Sequence, residues 1–201
     1  SPDVMAQVLY EAANARFERL FPLDGEAGSV LARLRFCLRV RPEEAWPSWI
    51  MDPTSLLLEW CHGRRSFSDL RKLNVAEDVL ARLPWDLRKV VDQVAPERLR
   101  VPSGAMIRLH YVDDKPPILA ARIQQMFGMM STPQLGGMPI MVHLLAPNGR
   151  PAQMTQDLAS FWSSTYSDVR KDLRGRYPKH AWPEDPSEAI PENRPNRRRK
   201  Q

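Results

Sequence analysis

Cysteine, histidine and glycine are scarce in this 201-residue sequence, at two, four and nine residues. Two cysteines, Cys37 and Cys61, cannot build a disulfide framework, and the simplest compartment for such a chain is a reducing cytoplasm. Metal ligation would draw on Cys37, Cys61, His62, His110, His143 and His180, but these lack C-x-x-C or H-E-x-x-H spacing, so no metal site is predicted. No glycine is followed by lysine, which removes a phosphate-binding loop, and neither G-x-G-x-x-G nor G-x-S-x-G occurs. No apolar run approaches the roughly 18 residues of a membrane span. The longest, Ile118 to Ala121 and Pro139 to Val142, are the size of a strand or a helical turn. No basic-then-apolar leader opens the chain. It starts Ser1-Pro2-Asp3 without an initiator methionine, as expected of a processed chain or a piece of a longer one.

Charge is present but unevenly placed. The formal net charge is +5. Through Arg100 the basic and acidic residues balance at 15 each, whereas from Val101 onward 14 basic residues face 9 acidic ones. Five of those positive charges fall between Arg194 and Lys200, so the high isoelectric point of about 9.5 reflects mainly the end of the chain. Such a tail attracts any polyanion with steep salt dependence and no sequence preference. It equally suits a solubilising end.

Apolar periodicity divides the chain. Val4, Met5, Val8, Leu9, Ala12, Ala13, Phe17, Leu20 and Phe21 recur at helical spacing and are expected to face inward. Ser29 is a candidate cap for a second helix, with Leu31, Leu34, Cys37 and Leu38 inward and Arg33, Arg35 and Arg39 outward. Asp52-Pro53 and Asn74 with Glu77 read as helix starts. After Pro96 the period changes. Met106–Val112 and Met138–Leu145 alternate as half-buried strands, while Ile118–Phe127 fits strand or helix. Pro147-Asn148-Gly149 supplies a hairpin turn, and Thr155 or Asp157 caps a long helix. The predicted architecture is α+β. A helical module spans 1–97, a small antiparallel sheet packed by a long C-terminal helix spans 98–183, and a disordered Pro-rich basic tail spans 184–201.

Few residues offer chemistry. Asp113-Asp114 is a carboxylate pair after a strand, read as a solvated turn. An enzyme would require these two acids to converge with His110 or His143 in one pocket. The densest unusual run, KDLRGRYPKHAWPEDP (Lys171–Pro186), interleaves Lys171, Arg174, Arg176, Lys179 and His180 with Tyr177 and Trp182. Guanidinium groups that hold phosphates and rings that stack on bases suit single-stranded nucleic acid. Aromatics flanked by Pro178 and Pro183 also suit an extended segment docked on its own domain. Both readings stand on composition. Arg150, at the start of a return strand expected over Arg150–Thr155, joins the candidate nucleic-acid contacts. Trp46 and Trp49, with Met129 and Met130 of a Met-rich loop, are candidates for contact with other domains or partners.

RGRYPKHAWPEDP (Arg174–Pro186), QDLASFWSSTYSDVRKDL (Gln156–Leu173), VPSGAMIRLHYVDDKPPILAARIQQMFG (Val101–Gly128) and VHLLAPNGRPAQMT (Val142–Thr155) together resemble the C-terminal region of HrpB-type DExH-box ATP-dependent helicases. The likeness is close from about Leu83 to Pro186 and weaker through the helical half. It implies a parent with two RecA-like domains that bind ATP and magnesium, and a non-catalytic accessory region here with no cofactor of its own. It implies the helicase core of the same parent chain as a partner, and the basic–aromatic run adds single-stranded RNA; no membrane contact and a monomeric state are expected. The alternative is a structural or protein-interaction scaffold with no nucleic-acid contact.

Overall fold

A computed structural model describes residues 2–193; the basic run Arg194–Lys200 lies outside the described residues. Two compact units emerge, one from the chain up to Ala95 together with Tyr111–Asp114, the other from Pro96–His110 together with the described residues from Lys115 onward.

The first unit is helical. It contains α1 (Pro2–Asn14), α2 (Phe17–Leu20), α3 (Glu26–Val40), α4 (Leu57–Cys61), α5 (Phe67–Arg71), α6 (Val75–Arg82) and α7 (Trp85–Val94). Its core gathers Leu9, Phe17, Phe21, Leu57, Leu70 and Val79 around the fully buried Trp60. Trp60 donates its indole N–H to Asp78 at 2.8 Å, which satisfies the one polar atom that burial would otherwise orphan. Caps follow the sequence where a side chain reaches an unpaired amide. Asn74 accepts from the Glu77 amide at 3.1 Å, and Asp52 accepts from the Thr54 amide ahead of a 3₁₀ turn.

Three expectations change here. α1 buries Ala6, Leu9 and Ala13, whereas Val4, Met5 and Val8 face solvent. The apolar residues of α1 occupy more of its circumference than α4 covers, and the narrow side with two alanines permits the closer approach. α3 begins three residues before Ser29, with Gly25 at its N-cap. A Cβ on Gly28 would lie 1.6 Å from the Leu23 carbonyl oxygen, so only glycine lets the chain cross that turn. Arg33 points inward, not outward, and is 6% exposed. Its Nε donates to the Ala95 carbonyl at 2.5 Å, and a terminal nitrogen meets Asp92 at 3.1 Å. A guanidinium thus closes the open end of α7, where the last carbonyls lack helical partners. Arg35 also turns in, bonding the Ile50 carbonyl and Asp113.

The second unit carries a five-stranded sheet in the order β1-β2-β3-β6-β7, from Arg98–Arg100, Met106–His110, Ile118–Arg122, Met141–Leu145 and Pro151–Thr155. The sheet is mixed. Three pairings are antiparallel, but β3 and β6 run parallel, in register from Ile118 opposite Met141 to Arg122 opposite Leu145. A parallel pair needs a crossover longer than a hairpin turn. That crossover is α8 (Ile123–Met126) followed by a minor hairpin of β4 (Gln134–Leu135) and β5 (Met138–Pro139). The ambiguous run from Ile118 is therefore a strand that becomes a helix.

Asp157 caps the C-terminal helix by accepting from the Ser160 amide at 2.9 Å. The helix runs as α9 (Leu158–Ser160), one π-turn at Phe161–Thr165, and α10 (Tyr166–Arg176). Phe161, Trp162 and Tyr166 bunch edge-on around that turn and reach Phe127, with centroids 4.8 to 6.3 Å apart. Gly175 does not stop the helix, which continues to Arg176. Of the expected tail, residues 184–193 form no helix or strand, yet they are tied to the unit. The Gly128 amide donates to the Pro186 carbonyl and the Glu192 amide to the Gln124 carbonyl, both at 2.9 Å. Asn193 bonds Gln125 and the Ser103 carbonyl.

Candidate functional site

The interleaved basic and aromatic run folds back on α10. Tyr166 donates its hydroxyl to the Pro183 carbonyl at 2.9 Å, and burial pushes that phenol up to about 12, so it stays a donor at neutral pH. Arg170 donates from Nε to the Trp182 carbonyl at 2.7 Å and from a terminal nitrogen to Glu184 at 3.3 Å. Trp182 is 8% exposed and donates its indole N–H to the Tyr177 carbonyl at 2.8 Å. These bonds pin residues 177–184 to the helix. Trp182 therefore serves the docked segment, and its ring is not open to a stacking base.

Folding back encloses a surface concavity of about 890 Å³ lined by Arg170, Lys171, Arg174, His180, Trp182 and Glu184. Of the sequence candidates it brings together Arg174, His180 and Trp182. Arg174 has no carboxylate partner among the described residues, and Lys171 meets only the exposed Asp168 at 3.6 Å. Such an exposed pair contributes roughly 0–1 kcal/mol and yields readily to another anion. Burial first, then the Arg122 guanidinium, hold the His180 imidazole below the ordinary value, with Glu192 opposing. Arg170 lies one residue before the basic–aromatic run and does not stand out in the sequence on its own. The signal for Arg170 was the row Tyr166, Arg170, Arg174 at four-residue steps, which places all three on one helix face.

The other candidates lie elsewhere. Arg176 pairs with Asp172 at 2.8 Å one turn back. Tyr177 is half-buried, with its ring 6.4 Å from that of His180, and Lys179 is exposed outside the concavity. Arg150 is exposed at the β6–β7 turn. Trp46 donates to the Arg41 carbonyl at 2.7 Å, and Trp49 packs against the helical core. The Met129 carbonyl accepts from Trp162 at 2.8 Å, and the Met130 side chain is exposed.

Asp113 and Asp114 fall in the first unit, and His110 and His143 in the second. Asp113 is held by Arg35 at 2.7 Å, and Asp114 adopts a positive φ of 58°. Both line a groove of about 360 Å³ with Phe36, Leu38, Arg39, Met51 and Val112, and no histidine lines it. His110 and His143 share a face of the sheet with β3 between them, opposite Ile118 and Ala120, roughly 12 Å apart at normal strand spacing and rise. Burial pushes the Cys37 thiol up to about 12 and raises that of Cys61, so both behave as small apolar groups. Among the described residues no group of three or more His, Cys, Asp or Glu is placed to hold a metal ion. No described helix is long and apolar enough to cross a membrane.

The chain belongs to the C-terminal region family of HrpB-type helicases. The model of the ATP-dependent helicase C-terminal family matches residues 56–186. The ATP-dependent RNA helicase HrpB of Escherichia coli K12 is 34% identical over 203 residues, covering 96% of this chain and 25% of that protein. The crystal structure of the E. coli DExH-box NTPase HrpB superposes with a TM-score of 0.84 at 32% identity over 95% of this chain. That of the E. coli DEAH/RHA helicase HrpB gives 0.70 at 31% identity over 90%. The chain spans about a quarter of the length of these relatives. The resemblance read from the linked sequence blocks is thereby borne out.

Proposed function

We propose that this chain is a non-catalytic accessory region of a DExH-box ATP-dependent helicase that contacts RNA through the concavity on α10. The observation that carries the reading is the pair Lys171 and Arg174. They are exposed beside a pinned segment; among the described residues Arg174 has no carboxylate partner and Lys171 only the exposed Asp168. Phosphates of a single strand would displace Asp168 from Lys171 and meet the Arg174 guanidinium directly. The cations also suit a helix C-terminus electrostatically. RNA contact is therefore tested by binding rather than by placement. ATP and magnesium are assigned to the helicase core of the parent, because no phosphate-loop motif occurs in this sequence. The purified chain is expected to bind a labelled oligouridylate at low salt and to show no ATP turnover. Robust turnover by the chain alone would overturn the non-catalytic assignment.

A second reading, a brace for other helicase domains, is favoured by the exposed Val4, Met5 and Val8 of α1. It predicts that Val8→Ser in the full-length helicase lowers that protein's thermal stability while leaving oligouridylate binding by the isolated chain unchanged.

A further inference from the structure

Six tryptophans occur in the chain, and one is not used by the fold. Trp85 opens α7 with its side chain 65% exposed, whereas Trp60, Trp162 and Trp182 are buried and Trp46 and Trp49 half-buried. Lys89, one turn further on, sets its Nζ 3.4 Å from the Trp85 ring centroid. That cation–π contact steadies the ring and keeps a positive charge against it. The corner beneath is rigid. Pro84 precedes the ring at φ −52°, and Arg88 ties the turn by donating to the Leu83 carbonyl at 2.9 Å and the Ala81 carbonyl at 2.6 Å.

The surroundings decide between partners. The other exposed residues of α7 are Asp86, Arg88, Lys89, Asp92 and Gln93, all polar. A protein-docking face has a contiguous apolar centre, and here a single ring stands in a polar field. Lys89 covers one face of the indole. The opposite face of this exposed ring is left for a base to stack on, with the ammonium behind it for a neighbouring phosphate, the pairing that serves an unpaired nucleotide. We infer that Trp85 and Lys89 form a stacking platform for one base of single-stranded RNA. This rests on the reading of the chain as an RNA contact and adds a site in the helical unit.

The test uses the whole 201-residue chain, a fluorescein-labelled oligouridylate and two readouts, anisotropy and tryptophan emission. Trp85→Ala is expected to keep its far-UV circular dichroism and to bind roughly five- to tenfold more weakly, the loss of one stacked base. Trp85→Phe is expected to retain most of the affinity. Oligouridylate is expected to quench the wild-type emission and to quench it much less in Trp85→Ala. If Lys171→Glu with Arg174→Glu abolishes binding while Trp85→Ala leaves it unchanged, the platform is wrong and the concavity stands. If no variant or wild type binds at low salt, both fall. If Trp85→Ala converts a sedimenting dimer to a monomer with unchanged affinity, the ring belongs to a contact with a second copy and the inference is overturned.

Discussion

The helical unit and the sheet unit divide their arginines alike, some bonded within the fold and some left at the surface. In the helical unit Arg33, Arg35, Arg64, Arg82 and Arg88 each bond a backbone carbonyl or a carboxylate of their own unit. Arg82 alone joins Asp78 and Glu59, and those bonds raise its already high pKa. These five close helix ends or join carboxylates, whereas Arg19, Arg65 and Arg71 of the same unit are exposed and make no side-chain bond among the described residues. In the sheet unit Arg170 is consumed in the same way by the docked segment, but Arg174, on the same helix face, is not. Arginine content therefore does not measure basic surface. What counts is how many guanidinium groups the fold leaves without a carbonyl or carboxylate to satisfy.

The comparison is broken most forcefully by removing what each unit depends on. Trp60→Ala in the helical unit is expected to cost about 3–5 kcal/mol, the usual loss for a buried tryptophan. It is expected to lower the urea midpoint followed by circular dichroism while amide protection of Gly128 persists. Arg170→Met is the sheet-unit counterpart. It leaves the Trp182 carbonyl without its donor and is expected to cost about 1–3 kcal/mol. The Gly128 and Glu192 amides, which bond across the docked segment, are expected to exchange faster with deuterium in that variant, and the helical unit not to respond.

Much of this was legible before the coordinates. Asn74 and Asp157 cap their helices as their residue types predict, because a short polar side chain satisfies an unpaired amide without help from the rest of the fold. The alternation of β2 and β6 was equally local. What could not be read depends on partners distant in sequence. The burial of Arg33 is fixed by a carbonyl 62 residues away. The solvent face of α1 is fixed by what α4 covers, and the parallel β3–β6 pairing by a crossover whose strand-to-helix switch has no local marker. The site was half legible. The basic–aromatic run was visible, but the division between Trp182, which docks, and Arg174, which is free, required Arg170 to be placed.

The two caps sharpen the comparison at smaller scale. Asn74→Ala and Asp157→Ala are each expected to cost about 1 kcal/mol, lowering the melting temperature of one unit only. Smaller again is Arg176→Ala, which breaks an exposed pair worth about 0.3–0.5 kcal/mol and is expected to leave the melting temperature nearly unchanged. His180 adds a pH dependence of defined sign. Its folded value lies below the ordinary 6.5. The stability it contributes is therefore present above that value and lost as pH falls through the folded one. His180→Gln is expected to remove that acid-side loss from the melting profile, which is checked by thermal melts between neutral and mildly acidic pH.

The central claim is that Lys171 and Arg174 on α10 meet phosphate. It is tested most directly by the salt dependence of oligouridylate binding for the wild-type chain and for Lys171→Glu with Arg174→Glu. Single-strand binding loses a slope of about 0.7 in log affinity against log salt for each phosphate contact removed. The double variant is therefore expected to bind far more weakly and with a slope shallower by about 1.4. Equal affinity and equal slope for the two proteins would contradict the account.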